Sequence, residues 1–213
     1  MKSIKIITSV FILSSLLFVA CTSSKNVTSV RNIKMRNIDF SKLEYSIEGN
    51  DTIPVSGKLA KNAIIDGFPC ADNYIWFDRN WKVTEFQLSE EYMLLGNKIP
   101  KKTWVRFYKD KIICMFPYDT EIQSHTCGGS SWGREGIHTV FYLDGKLKHF
   151  FPKENVKIDG IFCKSSVFAG VSLYENGRLK KCKLAKDQNI NGKNYEEKST
   201  LTFDEEGNVI KTE

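Results

Sequence analysis

Three residues near the middle of the chain carry side chains that could together bind a transition metal. His125 and Cys127 lie two positions apart, and His138 follows eleven positions after Cys127. Imidazole nitrogens and thiolate sulfurs are common zinc ligands, but the chain has none of the Cys-x-x-Cys pairs that structural zinc sites use. We therefore predict no metal, no cofactor and no catalytic residue. A metal-dependent enzyme or sensor built on these three residues is the alternative.

The cysteines that follow residue 21 occupy recurring positions, which predicts a structural role for them. One position, five residues after an isoleucine or leucine of a repeated motif, is filled in turn by Cys70, Ile99, Cys127, Cys163 and Tyr195. A second position is filled by Phe86, Cys114, Phe150 and Cys182. A free cysteine packs as a small hydrophobic residue, so positions that alternate between Cys, Ile, Tyr and Phe indicate a core.

A disulfide between Cys127 and Cys163, in adjacent copies of the motif, is the alternative to two buried thiols. In a stack of two-stranded hairpins, equivalent residues are about 9–10 Å apart, twice the strand spacing. A disulfide needs Cα atoms within about 7 Å, so we expect this bond not to form.

A glycine-rich segment, residues 128–136, predicts an exposed loop. It contains four glycines together with Trp132 and Arg134. Tryptophan and arginine are frequent anchors of protein interfaces, so these two residues are the candidates for binding a partner. A slack loop without a function is the alternative.

The elements that would carry these residues repeat about every 30 residues. The motif Leu-x-x-polar-x-x-Ile-x-Gly occurs in five related forms, and two copies are nearly identical, NAIIDGFPC from Asn62 and NVKIDGIFC from Asn155. Between the copies, apolar runs flank turn dipeptides such as Asp144-Gly145 and Asn176-Gly177, which are strong hairpin signals. After residue 31 the chain lacks a sustained helical periodicity, so the fold is predicted to be all-β.

The hairpin pieces FYLDGKLK and LYENGRLKK resemble the MORN-like repeats of the YwqK type, in which an aromatic pair precedes Asn-Gly and an apolar, basic strand. The resemblance covers about half of each unit. It implies an array of about five antiparallel β-hairpin repeats in an extended curved sheet, which we assign to residues 38–213. Such repeats are interaction or structural modules, and the resemblance brings no catalytic residue and no ligand.

The amino terminus indicates export and lipidation. After Lys2 and Lys5, an uncharged apolar run extends to Ala20. As a helix it would be roughly 22 Å long, less than the ~30 Å of a bilayer core, which favours a signal peptide. The final residues, Phe18-Val19-Ala20-Cys21, resemble a bacterial lipobox, which implies cleavage before Cys21 and acylation of its thiol. We assign residues 1–20 to a signal helix and 21–37 to a flexible tether.

Composition narrows the function. Of the 213 residues, 41% are hydrophobic, as in an ordinary globular domain. Without the two lysines of the signal peptide, 29 basic side chains face 25 acidic ones, and this small surplus argues against a nucleic-acid partner. By analogy with known lipoproteins, Thr22 after the cysteine favours the outer membrane. We expect a lipid-anchored protein of the cell envelope, a non-enzymatic binding or structural module that contacts an envelope protein or polymer.

Overall fold

The computed structural model describes residues 27–213, which are all-β apart from one short 3₁₀ turn at Gly133–Glu135. Within this part of the chain, no helix is long and apolar enough to span a bilayer. In chain order the strands are β1 (Val27–Met35), β2 (Ile38–Glu48), β3 (Asp51–Leu59), β4 (Ala63–Ile65), β5 (Phe68–Cys70), β6 (Tyr74–Phe77), β7 (Val83–Gln87), β8 (Tyr92–Leu94), β9 (Asn97–Ile99), β10 (Trp104–Phe107), β11 (Ile112–Met115), β12 (Thr120–Ile122), β13 (His125–Cys127), β14 (His138–Phe141), β15 (Leu147–Phe150), β16 (Val156–Ile158), β17 (Ile161–Cys163), β18 (Val171–Leu173), β19 (Leu179–Lys183), β20 (Gln188–Ile190), β21 (Lys193–Tyr195), β22 (Thr200–Phe203) and β23 (Val209–Thr212).

Thirteen strands form one antiparallel sheet whose neighbours follow chain order, β1-β2-β3-β6-β7-β10-β11-β14-β15-β18-β19-β22-β23. Each break in this numbering is a separate two-stranded ribbon, namely β4-β5, β8-β9, β12-β13, β16-β17 and β20-β21. The prediction of an all-β fold is therefore confirmed. The chain alternates between adding a hairpin to the sheet and forming a ribbon beside it.

The two kinds of hairpin use different turns. In each ribbon turn both central residues have positive φ, for example Asp66 at 51° and Gly67 at 84°, the geometry of a type I′ turn. In the sheet hairpin of β14 and β15, positive φ falls on Gly145 at 89°, and the register shifts by one residue between Val140 and Phe141. A glycine at such a position allows a bulge at no steric cost, which is why Asp-Gly and Asn-Gly recur there.

The core lies between the ribbons and one face of the sheet, which we call the inner face. The last residue of each ribbon packs into it, and these residues are at most 9% exposed: Cys70, Ile99, Cys127, Cys163 and Tyr195. The five cysteines of the described chain are free and buried, so the prediction that they fill core positions is confirmed. The opposite, outer face carries a second apolar cluster of Trp104, Ile113 and Met115 with Trp76 and Val140 packed against it.

The structure differs from the sequence-based division at its amino-terminal end. Residues 27–35, assigned above to the tether, form β1 and pair with β2 from Val27↔Ser46 to Met35↔Ile38. The segment resembles a tether in composition because β1 is the edge of the sheet, where charged and polar side chains protect an open strand. The residues predicted to form the signal peptide, 1–20, and the predicted lipidation site Cys21 lie outside the described residues.

Candidate functional site

A cleft on the outer face brings together two loops that are far apart in sequence. The 128–137 loop contributes one wall, with Trp132 and Ile137; Val167 and Phe168 form the other, and the floor includes His138 and Phe151. Its volume is about 410 Å³. The walls carry the most exposed aromatic side chains of the described chain, Trp132 at 79% and Phe168 at 95% exposure. Apolar surface of this kind, rimmed by polar residues, is typical of a binding site.

The 128–137 loop is held by hydrogen bonds at its base. The Gly128 N–H donates to the carbonyl oxygen of Phe151 at 2.7 Å, and the Ser130 N–H donates to that of Phe116 at 3.0 Å. A Cβ atom at Gly129 would lie 2.2 Å from the backbone of Tyr118, so only glycine fits there. These contacts disagree with a slack loop and place Trp132 on a defined support.

The Arg134 side chain points toward the outer face of the sheet and holds the loop against it. Its Nε and a terminal nitrogen donate to the two carboxylate oxygens of Glu85, at 2.8 and 3.1 Å. Arg106 contacts the same carboxylate at 2.8 and 2.9 Å. The Arg134 guanidinium also lies over the Trp76 ring, 4.2 Å from its centre. Of the two predicted partner-binding residues, Trp132 is presented to solvent, whereas Arg134 positions the loop.

Glu85 is unusual because it is a carboxylate with only 6% of its surface exposed. Burial by itself would raise its pKa, but the hydrogen bonds from Arg134 and Arg106 outweigh burial, and the pKa lies below its ordinary value. Glu85 is therefore ionised at neutral pH and shared by two cations. A carboxylate that accepts two guanidinium groups fixes both in direction as well as position.

The three candidate metal ligands do not meet. The His125 ring belongs to a ribbon and stacks on Phe150 with 5.0 Å between centres, and Cys127 is fully buried in the same core. His138 pairs with Met115 of the outer cluster, so the sheet separates it from the other two. Within residues 27–213, no cluster of three potential metal ligands exists. The alternative of a metal site at these residues is therefore not supported by their placement.

A histidine and a serine that sequence reasoning missed lie beside the cleft. The Nδ1 atom of His149 is 2.9 Å from the Ser172 hydroxyl oxygen, since β15 and β18 pair these two residues. The His149 ring also contacts Phe151 edge-on at 5.0 Å. An added Cβ atom at Gly170 would lie 2.4 Å from Nε2, so the ring is packed on that side. The His149–Ser172 pair supports the floor of the cleft. The sequence could have revealed this pair only if the register between β15 and β18, which are separated in sequence by the ribbon β16-β17, had been known.

Stability is expected to fall as pH drops from 7.5 to 5.5. Burial lowers the pKa of His149, and the nearby His138 lowers it further; burial likewise lowers the pKa of His138 and His125. Each folded-state pKa is thus below the unfolded value of about 6.5, so the unfolded chain binds more protons as pH passes below 6.5. Carboxylates with lowered pKa values lose their contribution only at lower pH.

Urea unfolding at the two pH values measures this effect. We expect the midpoint to be lower at pH 5.5, and the difference to shrink in His149→Gln, which keeps a hydrogen-bonding group near Ser172. A midpoint that is equal or higher at pH 5.5 would contradict the expectation.

Compared with known proteins, the chain matches no family model, no curated protein and no solved structure.

Proposed function

We propose that the protein is a membrane-anchored, non-enzymatic binding module of the cell envelope, and that the outer-face cleft receives an apolar side chain of another envelope protein. The observation that supports this proposal most directly is the pair of exposed rings, Trp132 and Phe168, on opposite walls of one cleft. Exposing two large aromatic side chains to water is unfavourable unless a partner covers them.

The construction of the cleft favours a protein over a flexible polymer as the partner. Its lining is mainly aromatic and aliphatic, with Ile137 and Val167 beside the two rings. Protein interfaces concentrate their binding energy in such pockets, where one buried anchor side chain is surrounded by a polar rim. Because the Arg134–Glu85 contact already holds one wall, little conformational entropy is lost on binding.

The lipobox resemblance supports a position close to a membrane. Val27, the first residue of β1, follows Cys21 by six positions, and six extended residues span at most about 20 Å. Two or three acyl chains on Cys21 would hold the domain stably at the bilayer surface. A partner would then be an integral, lipid-anchored or periplasmic protein within that reach.

Photo-crosslinking in cells tests the proposal. A photoreactive phenylalanine analogue at position 168 is expected to capture one defined protein, identified by mass spectrometry. The capture should fall at least tenfold in Trp132→Ala, since truncation of an interface anchor commonly costs over 1.4 kcal/mol.

The matched controls are Ile64 and Met93, which are 68% and 61% exposed on ribbon strands. The analogue at Ile64 should not capture that protein, and Met93→Ala should leave capture from position 168 unchanged. Equal capture from both positions, or products that contain only lipid or glycan, would overturn the proposal.

A further inference from the structure

Two buried cysteines approach each other between the fourth ribbon and the sheet. Cys163 ends β17 and forms an antiparallel bridge with Leu184, and Cys182 precedes Leu184 by two residues on the same side of its strand. The backbone N–H groups of Lys164 and Ala185 make the hydrogen bonds that flank this bridge. Cys163 and Leu184 are thus a closely spaced, non-hydrogen-bonded pair, and Cys182 is the diagonal neighbour of Cys163. Diagonal Cα atoms are about 7–8 Å apart, at the upper end of what a disulfide spans, so the bond depends on the two side chains turning toward each other, as the contact between their thiols shows.

Comparison with the described units that form an equivalent bridge shows that a cysteine lies diagonal to the ribbon cysteine only at Cys163. The equivalent bridges are Cys70↔Leu88 and Cys127↔Pro152, and there the diagonal neighbours are Phe86 and Phe150. Among the three bridges that join a ribbon to the sheet in the described chain, only that of Cys163 has cysteine at both positions.

The Cys163 and Cys182 thiols are shielded from solvent and contact each other. Cys163 and Cys182 each have 0% exposure. The Cys163 thiol contacts that of Cys182, and this contact together with burial raises its pKa. In the reduced protein Cys163 is therefore a neutral thiol, and its neighbouring thiol is that of Cys182.

We propose that Cys163 and Cys182 form a disulfide when the chain folds in an oxidising compartment. The compartment rests on the proposed envelope location, whereas the bond itself rests only on the geometry. A disulfide oxidant, such as oxidised glutathione, supplies the balance: its S–S bond breaks and takes up two electrons and two protons, while the two cysteine thiols lose them and join. Because neither sulfur is exposed, the exchange takes place before the core closes.

Refolding of the full chain in detergent tests the inference. The chain is unfolded and reduced, refolded with a mixture of oxidised and reduced glutathione, alkylated in denaturant and cleaved after glutamate without reduction. Cleavage at Glu154, Glu175 and Glu196 places the two cysteines on separate peptides, 155–175 and 176–196, with one cysteine each. We expect these peptides to be joined, and the thermal midpoint to rise by roughly 6–12 °C relative to reduced protein.

Variants decide between outcomes. The joined peptides should persist in Cys127→Ala, which alters a buried thiol facing Phe150, and should be absent from Cys163→Ala and Cys182→Ala. Recovery of peptides 155–175 and 176–196 in alkylated form, or a link between Cys127 and Cys163, would overturn the inference. Either result would leave capture at the Trp132–Phe168 cleft unaffected, so this test and that of the proposed function can fail separately.

Discussion

Replacing Glu85 by alanine is expected to lower the free energy of unfolding by about 3–5 kcal/mol, since removing one partner of a buried ion pair strands the other charges. Arg106 would lose its acceptor while its side chain is only 20% exposed. Arg134 would lose the contact that holds the 128–137 loop against the sheet. Urea unfolding at pH 7 measures the stability, and the time course of trypsin cleavage after Arg134 measures the release of the loop.

Glu91→Ala is the matched control for Glu85→Ala. Glu91 pairs with Lys98 at 3.0 Å, but the two side chains are 55% and 70% exposed. An exposed pair contributes less than about 1 kcal/mol, so this variant should unfold close to the unmodified protein and resist trypsin equally. If the two glutamate variants lose the same free energy of unfolding, the ion pairs of Glu85 with Arg106 and Arg134 do not stabilise the fold more than an exposed pair does.

Replacing Phe150 by alanine is the second change with a large expected effect, a loss of about 3–5 kcal/mol. The ring has 0% exposure, and the His125 ring of the third ribbon stacks on it. Removing it opens a cavity between that ribbon and the sheet, which the rigid backbone of two paired strands cannot close. The measurement is the urea midpoint, with the slope of the transition checked for constancy.

Phe168→Ala removes the same atoms from the surface and provides the control. Because Phe168 is 95% exposed, its replacement should change stability by less than about 0.5 kcal/mol. The two variants therefore separate packing from binding: Phe150→Ala weakens the fold, and Phe168→Ala weakens only the proposed interaction. An unchanged midpoint in Phe150→Ala would contradict the assignment of the core.

The ribbons and the core on the inner face were predictable from the sequence because their signals lie within short stretches of the chain. Asp66-Gly67 and Asp159-Gly160 define ribbon turns, and the recurring Cys, Ile and Phe positions mark the core in a pattern that repeats along the chain. A position that tolerates Cys in one copy and Phe in another can only be apolar and buried. The same logic correctly anticipated that Cys70 and Cys163 pack as small hydrophobic residues.

The outer face was not predictable, since its contacts join residues from distant units. Arg134 meets Glu85 across 49 positions, and nothing in the local sequence of either residue announces the pair. Trp132 was identified from its glycine-rich surroundings, whereas Phe168 stands in a segment with no comparable signal. The bulges add to the difficulty: each shifts the register by one residue, and a one-residue error assigns a side chain to the wrong face.

The chain-order arrangement of the thirteen strands has a consequence for how the molecule assembles. Successive sheet strands lie beside each other, so every sheet pairing of the described residues either is a hairpin or spans one intervening ribbon, an arrangement that keeps contact order down. Each new hairpin can add to an edge that is already in place, without waiting for the carboxyl terminus. A chain that is synthesised amino terminus first can therefore acquire its structure progressively, and its growing edge is the surface that most needs protection from aggregation during synthesis.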